Sequence, residues 1–88
     1  MGNKIVGVLP LERKRLQLEY GDGTFRVFDV TSFLGKGLFH GLRDEAVFRT
    51  VRVVFDAVEW ANGADIDPET LFEDSIPTPV TVATEATV

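Results

Sequence analysis

Three carboxylates stand close together in the last third of the chain. Asp65, Asp67 and Glu69 fall within five residues, and hard carboxylate oxygens at such spacing are ligands for Ca²⁺ or Mg²⁺. A metal-dependent hydrolase is therefore one hypothesis. The alternative is structural, because Asp67 precedes Pro68, and an Asp cap followed by Pro at the first helical position begins many helices. We favour the structural interpretation, since Pro68 interrupts any EF-hand spacing.

Two further features invite a catalytic interpretation. His40 is the only histidine, and a catalytic His needs a nucleophile and an orienting group, for which Ser32 and Asp44 are the nearest candidates. The glycines of residues 35–41 resemble a phosphate-binding loop, but no Gly-Lys-Ser/Thr follows them. A surface or packing role is the simpler interpretation of His40. We therefore predict no catalytic residue, no metal ligand and no cofactor, and we expect a non-enzymatic protein.

Charged and aromatic side chains also predict a possible interaction surface. Its residues are Arg13, Lys14, Arg15, Trp60, Asp65 and Glu69. The three consecutive basic residues can contact phosphate or an acidic partner, or they can form a solvated turn. Three charges give only modest affinity for nucleic acid. Trp60 is either an exposed recognition aromatic or a core residue, and its apolar neighbours favour packing.

Length and composition describe one small domain. The chain has 88 residues, 44% of them hydrophobic, and no cysteine. The absence of cysteine excludes disulfides, Cys-based zinc sites and thiol catalysis, and it fits a reducing compartment. No apolar stretch approaches the roughly 18 residues of a membrane span, and no signal peptide begins the chain. We therefore expect a soluble, unprocessed cytoplasmic protein that does not contact a membrane.

The charge is unevenly distributed along the chain. Residues 1–55 hold nine basic groups and six acidic ones, whereas residues 56–88 hold eight acids and no base. Tight binding to phosphate backbones needs clustered Lys and Arg, so nucleic acid is not the expected partner. A polarised surface fits a charged protein partner better, here a small basic protein. Two solvated faces with ordinary charge scatter remain the alternative.

The first third of the chain predicts a three-stranded antiparallel meander over residues 4–30. Residues 4–11 are rich in Val, Ile and Leu, and residues 16–20 alternate between apolar and polar side chains. Asp22-Gly23 follows, and Asp-Gly between two alternating runs is a strong hairpin signal because both turn residues need positive φ. Residues 24–30 form the returning strand, in which the apolar face switches near Asp29.

The middle of the chain predicts short helices and a second hairpin. We expect a helical turn over residues 31–34, an irregular loop over 35–41, and a helix capped by Asp44 that ends near Thr50. A strand over 51–55, a turn at Asp56-Ala57 and a strand over 58–60 follow; an apolar stripe from residue 47 to 55 makes a longer helix the alternative. A helix of about two turns begins at Asp67 and is anchored by Leu71 and Phe72.

The resulting fold class is α+β: a small antiparallel sheet, made of the meander and the second hairpin, with two or three short helices. We place a single domain over residues 1–74 and a flexible C-terminal tail over residues 75–88, where the sequence has little apolar content to order it. The run 79–83 is prone to β-structure and can add to a sheet edge, either in the same molecule or in a second copy of the chain. A homo-oligomer is therefore a further possibility.

Residues 4–74 resemble the bacterial domain-of-unknown-function family 2442 in three stretches: LEYGDGTFRVFDV, GLFHGLRDEAVF and VEWANGADIDPETLFED. The family pattern is an Asp-Gly hairpin, a Phe-Asp pair, a Gly/Phe/Leu loop and a short helix with Phe. A Trp-x-Asn-Gly ending then leads through Asp and Pro to an apolar pair. Ala61 stands where the family often has Pro.

The resemblance implies a small α+β domain with a curved antiparallel sheet and no established enzymatic activity. Such proteins look like partners of a second small protein, as antitoxin-like members of toxin–antitoxin pairs. Some relatives carry a separate helix-turn-helix domain, for which this chain has no room. The alternative functional hypothesis is a DNA-binding autoregulator that uses residues 13–15 and the sheet face.

Overall fold

The computed structural model describes residues 4–78, which form seven strands, two α-helices and three 3-10 segments. The strands are β1 (Ile5–Leu11), β2 (Arg15–Tyr20), β3 (Phe25–Asp29), β4 (Arg52–Val54), β5 (Ala57–Glu59), β6 (Asp65–Ile66) and β7 (Ile76–Thr78). The α-helices are α1 (Glu45–Phe48) and α2 (Pro68–Glu73), and the 3-10 segments are Glu12–Lys14, Thr31–Phe33 and Gly37–Arg43. The α+β prediction is confirmed, although the strands form two antiparallel sheets and not the single sheet that was expected.

The predicted meander forms the larger sheet. β1, β2 and β3 are antiparallel neighbours, with Leu16 opposite Phe28 in the register of β2 and β3. Alternation along β2 buries Leu16 and Leu18 on the core side. The turn after β2 closes through a hydrogen bond from the Gly23 amide to the Tyr20 carbonyl at 2.9 Å, and Gly23 has a φ of 91°. Glycine takes this conformation without the penalty that a Cβ imposes.

A fourth strand extends this sheet beyond the predicted domain boundary. β7 pairs antiparallel with β3, so that the strand order is β1-β2-β3-β7. Residues 76–78 lie in the segment for which the sequence predicts a flexible tail, and the structure corrects that prediction for these three residues. The physical reason is the guanidinium of Arg26 on β3, which donates to the Ser75 hydroxyl at 2.6 Å and to the Ser75 carbonyl at 2.9 Å. The β-prone run 79–83 lies outside the described residues.

The second sheet has three strands in the order β4-β5-β6 and stands beside β1 through β4. β4 and β5 are the predicted hairpin, but the turn is Phe55-Asp56, one residue earlier than expected, because Val54 pairs with Ala57. β6 was not predicted. It returns along β5 through a turn in which the Trp60 amide donates to the Ala64 carbonyl at 2.8 Å.

Local capping explains where the helices begin. The Asp44 side chain accepts a hydrogen bond from the Ala46 amide at 2.9 Å and caps α1 as predicted. α1 ends at Phe48, so the longer helix through residue 55 is wrong, and the β-branched run after it forms β4. The predicted loop over 35–41 is largely the 3-10 segment Gly37–Arg43.

The core lies between the two sheets and the helices. Its largest fully buried side chains are Trp60, Phe28, Phe48, Leu16, Leu18, Leu42, Leu71, Val30 and Val58. Aromatic rings form a chain of contacts, with Phe33 between Phe28 and Phe39 at centroid distances of 5.7 and 5.2 Å. α2 is held on this core through Leu71, which positions the polar face of the helix toward solvent. Among residues 4–78, no helix combines the length and the apolar character that a membrane crossing requires.

Candidate functional site

Asp67 has the structural role that its spacing to Pro68 predicts. Its carboxylate accepts hydrogen bonds from the Thr70 hydroxyl at 2.7 Å and from the Thr70 amide at 3.1 Å, and Pro68 is the first residue of α2. These hydrogen bonds from Thr70 lower the pKa of Asp67, because they stabilise the ionised carboxylate. Asp67 is therefore the N-cap of α2.

The three carboxylates do not converge on a metal site. Asp65 lies in β6 directly opposite Glu59 of β5, and it is exposed to solvent, as is Glu69 on α2. Over the described part of the chain, no group of three or more His, Asp or Glu side chains has an arrangement that could hold a metal ion. The carboxylates thus form a charged surface instead of a coordination shell.

This charged surface continues along α2. Five exposed acids lie on β6, on α2 or beside its ends: Asp65, Asp67, Glu69, Glu73 and Asp74. The ion pairs within residues 4–78 use the carboxylates of Glu45 and Glu59, and none uses one of these five. Like charges within a Debye length, about 10 Å at 0.1 M salt, repel one another and attract cations.

Two exposed apolar side chains lie among these carboxylates. Phe72 is 47% exposed and Ile76 is 71% exposed. Glu69, Phe72 and Glu73 are spaced i, i+3 and i+4, so they share one face of α2. We call the five acids together with Phe72 and Ile76 the α2 surface. The prediction that both Leu71 and Phe72 anchor the helix is correct for Leu71 only, because adjacent residues point about 100° apart around a helix.

The ring of Phe72 is held in place although half of it faces solvent. The Arg26 guanidinium carbon lies 4.1 Å from the ring centroid, and the Tyr20 ring meets it edge-on at 6.0 Å. Arg26 also donates to the Phe72 carbonyl at 3.1 Å. Burial raises the pKa of the Tyr20 hydroxyl, so this neighbouring ring stays neutral beside the Arg26 cation. The exposed face of Phe72 is therefore preorganised for contact.

Two of the three residues in the predicted basic cluster, Lys14 and Arg15, make intramolecular contacts. The Lys14 ammonium lies 2.7 Å from a Glu45 carboxylate oxygen, and the Arg15 guanidinium donates to the Glu12 carbonyl at 3.2 Å. The hydrogen bond from Lys14 is the main reason that the pKa of Glu45 is lowered. Of the three, Arg13 alone is exposed, and Lys14 and Arg15 are half-buried, so these residues do not form one continuous basic patch.

Trp60 belongs to the core. It is 1% exposed, and its indole N–H donates to the Phe48 carbonyl at 2.9 Å. Its ring stacks on Phe48 with a centroid distance of 6.3 Å and meets Phe39 edge-on at 6.2 Å. The interpretation as an exposed recognition aromatic is wrong, and the packing alternative is confirmed.

An open cleft of about 500 Å³ borders the α2 surface at Asp74. Its other lining residues are Asp29, Thr31, Ser32 and Phe33. One Asp29 oxygen accepts a hydrogen bond from the Thr31 amide at 2.9 Å. Sequence reasoning missed this cleft because Asp74 is far from the other four residues in sequence, and only tertiary packing brings them together.

The sequence was also compared with models of known protein families. A family model described as "Protein of unknown function (DUF2442)" matches residues 5–77. The chain belongs to this family. The match confirms the resemblance found in the sequence, and it spans β1 to Pro77, including the whole α2 surface. Searches of curated proteins and of solved structures found no match.

Proposed function

We propose that the chain is a non-enzymatic protein-interaction module that binds a small basic protein through the α2 surface, as the antitoxin-like member of a toxin–antitoxin pair. The observation that carries the proposal is the set of five exposed acids without ion pairs in residues 4–78, arranged around Phe72 and Ile76. A cytoplasmic location agrees with the absence of cysteine.

The chemistry of this surface specifies the partner. Basic side chains can form ion pairs with the exposed carboxylates, and an apolar patch can cover Phe72 and Ile76, as in interfaces with an apolar centre and a polar rim. Charge complementarity of this kind accelerates association and selects the partner more than it adds affinity. The side chains with catalytic potential support a non-enzymatic role, since Asp67 caps α2 and Asp44 caps α1.

The chain purified from native cells, or expressed together with the neighbouring gene product, tests the proposal. We expect a stoichiometric complex with one small protein rich in Lys and Arg, and we expect association to slow as salt rises. Recovery of no stoichiometric partner would contradict the proposal. An acidic partner, or a complex insensitive to salt, would contradict the assigned surface.

A pair of charge-matched variants locates the contact. The double substitution Glu69→Gln and Glu73→Gln removes two charges from the α2 surface while keeping its shape, and we expect the association rate to fall about tenfold. The control substitutions Glu12→Gln and Glu19→Gln remove two charges from exposed residues outside that surface. Equal effects of both doubles would show that net charge, and not the α2 surface, governs binding.

A further inference from the structure

The side chain at the tip of the β4–β5 hairpin is almost entirely in solvent. Phe55 is 94% exposed, the largest value among the large apolar residues of the described chain. A phenyl ring in this position gains no burial from folding, although aromatic rings provide much of the apolar area that stabilises small domains. Folding therefore supplies no reason for an aromatic residue at this position.

The backbone at the tip is also unfavourable for Phe. Phe55 and Asp56 have φ values of 50° and 68°, and Val54 pairs with Ala57 across the two-residue loop. Positive φ at both central residues defines the type I′ turn, in which Asn-Gly is preferred and a bulky side chain is disfavoured. Both the conformation and the exposure of Phe55 thus oppose its presence.

A second residue with positive φ shows one way in which such strain is offset. Lys14 has a φ of 57°, and its ammonium group pairs with Glu45 at 2.7 Å and lies 5.3 Å from the centroid of the Phe48 ring. Lys14 thus gains intramolecular contacts from its conformation. Phe55 is 94% exposed, so its ring makes almost no contact with the rest of the chain. Backbone strain that no intramolecular contact offsets is typical of a functional position.

We propose that Phe55 is the anchor residue of the partner contact and inserts into an apolar pocket of the basic protein that the α2 surface binds; the inference rests on that proposed function. The register of the second sheet supports one continuous interface. Val58 lies opposite Ile66, so the chain leaves β6 toward Asp67 at the same end of the sheet where the Phe55-Asp56 turn enters β5. The hairpin tip and the start of α2 therefore face the partner from one end of the sheet.

The charges around the tip select a protein over an anionic polymer or membrane. Asp56 is next to Phe55 in the turn, and Arg52, the basic residue of the hairpin, is paired with Glu59 at 3.6 Å. Asp56 beside the ring and Asp67 beyond the same end of the sheet are acidic, and acidic side chains repel phosphate groups and anionic lipids. An apolar pocket with a basic rim fits both the ring and these acids.

The substitution Phe55→Asn separates the effect of Phe55 on the stability of the turn from its effect on partner binding. Asn favours positive φ, so we expect Phe55→Asn to raise the Tm by about 4 °C, since the turn becomes less strained. In the same variant we expect the affinity for the protein that co-purifies with the wild-type chain to fall about 30-fold, the effect of losing a buried aromatic anchor. The matched control Phe55→Leu keeps a large apolar side chain for the pocket and should lose clearly less affinity than Phe55→Asn.

The outcomes distinguish this inference from the proposed function. A partner that the wild-type chain and Phe55→Asn bind equally well overturns the anchor while leaving the α2 contact intact. A wild-type chain that recovers no stoichiometric partner overturns both. A lower Tm for Phe55→Asn shows an internal role for the ring and also overturns the anchor. Binding to vesicles of anionic lipid, or to a single-stranded oligonucleotide, that depends on Phe55 overturns the assignment to a protein.

Discussion

Arg26 is the residue whose loss should most directly release β7 and the end of α2. Its half-buried guanidinium donates to the Ser75 hydroxyl at 2.6 Å, to the Ser75 carbonyl at 2.9 Å and to the Phe72 carbonyl at 3.1 Å. The same group stacks 4.1 Å from the centroid of the Phe72 ring. The substitution Arg26→Met keeps an unbranched side chain that can cover the same apolar surface but removes every one of these donors.

The expected cost follows from these contacts. A hydrogen bond from a charged group contributes about 1.5–3 kcal/mol, and an exposed cation–π contact about 0.5–1 kcal/mol. Because one half-buried guanidinium makes all four contacts, their contributions do not add, and we expect Arg26→Met to reduce the free energy of unfolding by about 3 kcal/mol. For a domain of this size, that change corresponds to a Tm lower by roughly 12–24 °C.

Urea unfolding, followed by the fluorescence of the buried Trp60, measures the global change. Hydrogen exchange at the amides of Ile76 and Thr78 reports whether β7 alone detaches, since Pro77 has no amide hydrogen. The control Arg26→Lys keeps the charge but lacks the planar fork that reaches several acceptors, so we expect an intermediate loss. A loss below about 0.5 kcal/mol with unchanged exchange in β7 would refute the account of how Arg26 holds this strand.

Two further predictions concern local structure. Asp67→Ala removes the N-cap of α2 and should lower the free energy of unfolding by about 1 kcal/mol. Because hydrogen bonds from Thr70 lower the pKa of Asp67, this contribution is complete above the unfolded pKa of about 3.9 and is lost as pH falls through the lower folded value; a wild-type advantage over Asp67→Ala in urea that does not shrink as pH falls below about 3.9 would contradict it. Gly41→Ala places a Cβ 2.8 Å from the Asn62 side-chain nitrogen, which donates to the Leu38 carbonyl, and disturbing that hydrogen bond should cost about 1 kcal/mol, whereas the control Gly35→Ala meets no atom within 4 Å; equal Tm values for the two variants would refute the steric argument.

Features that depend on neighbouring residues could be predicted from the sequence. The Asp22-Gly23 hairpin and the caps at Asp44 and Asp67 each involve backbone groups within a few positions, so residue type alone indicates them. Family membership was also accessible, since the motifs around Trp60 carry it. Even here the position of the second turn was wrong by one residue, because the register depends on which residues pair across β4 and β5.

The shortest strands, and the exposure of individual side chains, could not be predicted from local sequence patterns. β6 and β7 have two and three residues, too few for a visible period, and β7 is held by Arg26, about 50 positions earlier in the chain. Of the residues predicted as an interaction surface, Asp65 and Glu69 are exposed, while Trp60 is buried and Lys14 is paired. Phe55 and Phe72 were not recognised as exposed aromatics, since an apolar residue in a pattern of apolar residues predicts burial.

The sequence by itself determined the meander, the helix starts, the uneven charge and the family, because each follows from residue type and short spacing. Tertiary structure alone decided which aromatic rings the core accepts and which it leaves in solvent. It buried Trp60 beside the Phe48 carbonyl, left Phe55 on a strained turn, and stacked the half-exposed ring of Phe72 on Arg26. The physical reason is that exposure depends on what packs against a side chain, and the packing partners here come from distant parts of the chain.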